Sequence, residues 1–92
     1  MTMTETAEAR LKRMKMRSWR RGTKEMDLML GPWADTHLAN LSEADLQTYE
    51  VLLAEQDQDL MAWSLGLTTP PDRIAPMLQQ IIDYGRIRLR TV

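Results

Sequence analysis

Cysteine and phenylalanine are absent from this 92-residue chain, histidine occurs once, and its four glycines are all isolated. Each gap closes off a class of chemistry. Without cysteine there is neither a disulfide framework nor a thiolate metal site, and His37 alone does not make a transition-metal centre. Such a histidine reads as a surface or internally satisfied residue. Isolated glycines at 22, 31, 66 and 85 exclude the phosphate loop and the dinucleotide fingerprint, which need glycines at close, fixed spacing. Ser18, Ser42 and Ser64 have no nucleophile-elbow context. The acid pairs Glu43/Asp45 and Asp57/Asp59 suit the first turns of helices, where carboxylates meet the positive end of the macrodipole, better than acid/base dyads. No apolar run approaches the ~20 residues that span a bilayer. The chain is equipped to bind or position something and poorly equipped to catalyse; it does not read as an enzyme.

What is present must then hold the fold by packing alone. A chain of this length is a single domain, residues 1–92, near the lower size limit for a self-sufficient core. Residues 1–5 are expected to be frayed. The core material is leucine, isoleucine, 8 methionines and 3 tryptophans, and methionine suits irregular contacts between short helices. The formal net charge of -1 hides a segregation. Arg10, Lys12, Arg13, Lys15, Arg17, Arg20, Arg21 and Lys24 form a basic run, and from Glu25 to Asp72 there are only acids. Such asymmetry steers a partner electrostatically, or is satisfied inside the fold if the basic helix lies along the acidic ones. The first nine residues are polar and carry two glutamates, unlike a secretory or transit segment. The expectation is a cytoplasmic protein with no membrane partner.

Periodicity predicts about five short helices and no strands, an all-α compact bundle. Thr2 with Glu5, or Thr4, opens a helix to about Arg20, with Leu11, Met14 and Ser18 on its inner face. Gly22 follows as its terminator. Thr23 caps a second helix carrying Met26, Met29, Leu30 and Trp33, with a kink or break at Gly31-Pro32 and a continuation towards Leu38. Ser42 caps a third helix at about 43–55, with Leu46, Tyr49 and Leu53 inward. A fourth begins at Gln56–Asp59, turns Leu60, Trp63 and Ser64 inward, and stops at Gly66. After a proline connector a fifth starts near Ala75, buries Met77, Leu78, Ile81 and Ile82, and is weakened at Gly85. Trp33 and Trp63 read as core; Trp19, among cations, reads as core or docking face.

The residues that stand out are Ser18 to Asp27, where the basic run meets a glycine and the acidic run begins. Taken locally, this is a helix end with its charges in water, or a small presented epitope. The basic helix also admits a nucleic-acid-associated or antitoxin-like regulator, which predicts salt-sensitive binding through Arg10, Arg13 and Arg17.

Arg21-Gly22-x-x-Glu25, with Arg20 before it and Met26-Asp27 after it, resembles the RGxxE motif of the succinate dehydrogenase assembly factor family. The similarity continues through Met29-Leu30-Gly31-Pro32-Trp33-Ala34-Asp35, Leu41-Ser42, Leu53 to Trp63, and the proline linker, covering about residues 10–88. The resemblance implies a five-helix bundle of the bacterial branch. It implies a factor that binds the flavoprotein subunit of succinate dehydrogenase and promotes covalent attachment of FAD; a related flavoprotein, fumarate reductase, is the alternative client. The flavoprotein's own histidine would then be held against the flavin methyl carbon. It implies partner-binding roles for Arg21, Gly22 and Glu25, with Arg17, Arg20, Lys24 and Asp27 as neighbours. FAD is attached to the partner, and no cofactor is held tightly by this chain. No nucleic acid takes part in that reading, and the free chain is a monomer.

Overall fold

Three of the helices begin where a threonine or serine takes over an unpaired backbone N–H. The computed structural model describes residues 5–90, with side chains to residue 86. Five α-helices are formed, α1 (Ala7–Trp19), α2 (Lys24–His37), α3 (Glu43–Leu53), α4 (Asp57–Ser64) and α5 (Ala75–Arg90), with a 3-10 turn at Leu38–Asn40. There is no strand among the described residues. The all-α bundle expected from periodicity is what forms.

The caps at Thr23 and Ser42 are those expected: their hydroxyls accept from the N–H of Met26 and Asp45. The first cap differs. Thr6 accepts from Ala9 N at 3.0 Å, whereas Thr2 and Thr4 lie outside the described residues. Most of the frayed start expected at 1–5 lies there too. Glu5 is described, and its carboxylate holds the Arg13 guanidinium at 2.8 Å.

Helix α2 is the centre of the molecule. It packs most extensively along α1 and also touches α4 and α5, burying Met26, Leu30, Trp33 and Ala34. No break occurs at Gly31-Pro32: the helix passes through Pro32 to His37. A proline in a helix interior removes one backbone bond and costs about 3 kcal/mol in isolation; here burial on both sides of it holds the helix together. Gly31 serves a different need. A Cβ there would lie 2.4 Å from Cδ2 of Trp19, so the indole rests directly on the α2 backbone. Its Nε1 donates to Asp35 Oδ2 at 3.1 Å, yet 40% of Trp19 stays exposed.

The core joins Met14, Leu38, Tyr49, Leu52, Leu53, Leu60, Ile74, Leu78 and Ile81 to the buried face of α2. Trp33 is buried within it; Trp63, expected there too, is only partly buried at its edge. The single histidine stacks on Trp33 and meets Tyr84 edge-on, and its Nδ1 lies 3.0 Å from Trp33 O. Gly66 ends α4 at φ +75, and α5 runs on through Gly85 to Arg90.

One buried polar pair ties α1 to α3. Ser18 is fully buried, and its hydroxyl donates to Met14 O at 2.8 Å. That leaves Tyr49 O–H to donate to Ser18 Oγ, 2.6 Å away. Burial pushes the Tyr49 phenol up to about 12. A folded state that holds this proton more tightly than the unfolded chain is fully favoured below pH 10 and loses stability as pH rises from 10 towards 12. The loss should be about 3 kcal/mol. Chemical denaturation across that range should show it in the native chain, and Tyr49→Phe should remove that share of the slope.

Candidate functional site

The eight cations of the basic run sort into two files on the fold. Arg10, Arg13, Arg17 and Arg21 recur every three or four residues, so they line one side of α1 and its exit. This side faces the acidic helix α3. Arg10 meets Glu43 and Glu50, both at 2.7 Å, and Arg13 bridges Glu5 and Glu50. Hydrogen bonds from Arg10 are the first cause holding the Glu43 and Glu50 carboxyls below the usual carboxylate range. The other file is Lys12, Lys15, Arg20 and Lys24. None of these side chains has a hydrogen-bonding or ion-pair partner among the described residues.

At the end of the first file, Arg21 turns inward. Its guanidinium donates to Asp57 Oδ1 at 2.8 Å, to Leu53 O and to Glu55 O, both at 2.5 Å. Its side chain is only 9% exposed. Leu53 is the last residue of α3, where a cation is favoured by the helix dipole, Glu55 lies just past the cap Ala54, and Asp57 is in the first turn of α4. One planar donor fork thus closes the α3–α4 junction. Arg17 adds a longer contact to the same Leu53 carbonyl, at 3.4 Å.

The backbone between α1 and α2 is fixed from the other direction. Arg21 N donates to Asp27 Oδ1 at 2.6 Å, and Asp27 N donates to Thr23 O. Helix α1 ends at Trp19 with Arg20 as its cap, so Gly22 lies two residues past the cap and serves the turn itself. Its φ is +105, in the region that side-chain-bearing residues rarely adopt. Space is not the constraint, because a Cβ there would meet only Asp57 Oδ2, at 3.6 Å.

The seven site candidates from the sequence therefore fall into two groups. Arg21 and Asp27 hold the turn from inside, while Arg17 is exposed and reaches only the Leu53 carbonyl. Gly22, Lys24 and Glu25, together with Arg20, stand exposed, and Glu25 has no side-chain partner among the described residues. The residue that sequence reasoning missed is Asp57, read there as a first-turn acid. It is one, and it is also the counter-charge of Arg21 from 36 residues away; no local pattern signals that pairing.

A glycine-dependent turn, locked by an inward arginine and presenting a partnerless glutamate, is the geometry against which this chain's relatives can be compared. The family described as Sdh5, flavinator of succinate dehydrogenase, matches residues 12–84. This chain belongs to that family. Among its relatives, the FAD assembly factor SdhE of Acetobacter pasteurianus is 32% identical over 81 residues, covering 87% of this chain and 74% of the relative. The mitochondrial succinate dehydrogenase assembly factor 2 of Meyerozyma guilliermondii is 38% identical over 84 residues, covering 83% of this chain and 62% of that protein. The protein of the same description from Yarrowia lipolytica is 33% identical over 94 residues, covering 97% of this chain and 63% of its own. The chain thus spans most of its bacterial relative and less than two thirds of these two fungal ones. No helix among the described residues is long and apolar enough to cross a membrane.

Proposed function

We propose that this chain is an assembly factor that docks on the flavoprotein subunit of succinate dehydrogenase and promotes its covalent flavinylation with FAD. The observation that carries the reading is the turn at Gly22: a member of the flavinator family presents Gly22, Lys24 and Glu25 to solvent on a backbone fixed by Arg21 and Asp27. The contribution is positioning. The bond forms between two groups of the partner, and holding reacting groups in a productive orientation supplies several kcal/mol without any catalytic side chain. Gly22 permits close backbone approach, Glu25 accepts hydrogen bonds from the partner, and Arg20 and Lys24 stand beside them.

In this reading FAD belongs to the partner. The chain acts as a cytoplasmic monomer. Nucleic acid has no part in it: two of the three arginines that a regulator would use, Arg10 and Arg13, are ion-paired within the fold.

Co-expression of the chain with the flavoprotein, followed by in-gel flavin fluorescence, tests the assignment. Glu25→Ala should leave the thermal unfolding midpoint within a few degrees of the native one, because surface substitutions away from special features change stability by less than ~0.5 kcal/mol. Covalent flavin should nevertheless be lost, and the chain purified alone should carry no FAD. Undiminished fluorescence with Glu25→Ala would remove Glu25 from the site.

A further inference from the structure

The second file of cations has no use inside the fold, and it does not stand alone. Lys12, Lys15 and Arg20 line a groove of about 520 Å³ together with Met16 and Trp19. A second groove, of about 380 Å³, lies along the other side of Met16 and shares Arg20. Met16 is 45% exposed on the outer face of α1, whose inner face holds Met14 and Ser18 in the core, and Trp19, with its indole resting on α2, leaves 40% exposed beside it. From Lys12 to Arg20 the face runs about 12 Å along the helix at 1.5 Å per residue. That length matches about four residues of extended chain.

We propose that this outer face of α1 is a second docking surface, and that its occupant is an acidic segment of the flavoprotein carrying at least one apolar side chain. The proposal rests on the reading that the chain docks on that subunit through the Gly22 turn; it adds a separate contact and the chemistry of what fills it. Charge complementarity selects the acids, since partnerless cations flank the groove on both sides. The exposed thioether and indole select the apolar side chain, because Met, Trp and Arg are the residue types enriched where interfaces are anchored. A continuous polyanion fits less well. Glu8 lines the larger groove, Glu25 stands exposed one helix on, and a phosphate backbone or an anionic bilayer would meet both. A peptide places its carboxylates at intervals and can avoid them. Arg20 joins the face to the Gly22 turn, so one partner can cover the two together.

Association of the full-length chain with the purified, FAD-loaded flavoprotein subunit, followed by stopped-flow fluorescence at low and high salt, tests this. The variants are Lys12→Glu/Lys15→Glu, its neutral counterpart Lys12→Gln/Lys15→Gln, Met16→Gln, and Gly22→Arg for comparison. Unpaired charges at an interface rim act mainly on the encounter, so the double reversal should slow association at low salt by about tenfold and flatten its salt dependence. The neutral pair should do the same to a smaller degree, which keeps the test valid if the reversal disturbs the helix. Met16→Gln should act on dissociation instead, speeding it by about fivefold, as most contact losses do. Native rates in the double reversal and in Met16→Gln, with binding lost in Gly22→Arg, would overturn the second surface and leave the proposed function standing. Failure of the native chain to bind the flavoprotein at all would overturn both. If the double reversal abolishes binding to phosphatidylglycerol vesicles or duplex DNA while flavoprotein rates stay native, the face serves another polyanion and the acidic segment is ruled out.

Discussion

Arg21→Ala should lower the unfolding free energy by about 3 kcal/mol, the order expected when one partner of a largely buried ion pair is removed. The cost has three parts. Asp57 loses the guanidinium at 2.8 Å, and the carbonyls of Leu53 and Glu55 lose donors in a part-buried setting, where an unpaired polar group is costly. In a domain of this size the midpoint of thermal unfolding should fall by roughly 15 °C. Arg21→Lys should recover only part of this, since an ammonium cannot reach two carbonyls and a carboxylate in the geometry of a planar fork. Flavinylation of the co-expressed partner should fall with both variants, in the order of their stability loss. That proportionality is the informative result. An arginine acting by direct contact with the partner would, when removed, abolish flavinylation and leave the midpoint where it was.

Gly22→Arg should give the opposite pattern: a bundle that still folds and a partner with no covalent flavin. The turn lies on the surface and contributes nothing to the core cluster, so the cost is confined to backbone strain at φ +105, of order 1–3 kcal/mol. The chain relieves that strain by re-forming the turn, which moves Glu25 and Lys24 from their present positions. Gly66→Ala is the control. Gly66 is also at positive φ, with nothing within 4 Å of an added Cβ, and it ends α4 away from the site. It should carry a similar stability cost and leave in-gel flavin fluorescence at the native level. Loss of fluorescence in both variants would assign the effect of Gly22→Arg to stability alone.

The parts of this structure that were legible in the sequence are those governed by neighbours within a helical turn or two. Thr23 and Ser42 as caps, Gly66 as a terminator, and the buried stripes Met26/Leu30/Trp33 and Leu78/Ile81 all follow from local spacing. The start of α1 is expected at Thr2 or Thr4 and falls at Thr6, whose hydroxyl takes the Ala9 N–H; three threonines at alternate positions offer the same local capping chemistry. Local propensity at Gly31-Pro32 predicts a kink or a break; the break does not occur, because burial of Trp33 and Ala34 holds the helix continuous. The site divides in the same way. The exposure of Gly22 and Glu25 follows from a turn between a basic and an acidic helix. The inward fold of Arg21 depends on Leu53, Glu55 and Asp57, at separations of 32 to 36 residues, and no short pattern encodes it. The same holds for Trp19, whose resting place on Gly31 is set by the crossing of two helices.

Those separations also set a time order. The turn at Gly22 and its backbone tie to Asp27 emerge early during synthesis, but Leu53, Glu55 and Asp57, which hold the Arg21 guanidinium, are made more than thirty positions later. A nascent chain that has presented α1 and α2 alone has the turn's backbone tie to Asp27 and lacks the partners of the Arg21 side chain. Long-range closure of this kind is slow compared with the formation of single helices, so the anchor of Arg21 is completed after α1 and α2 have formed. A chain cut short before Asp57 would therefore carry the turn without the anchor of its arginine.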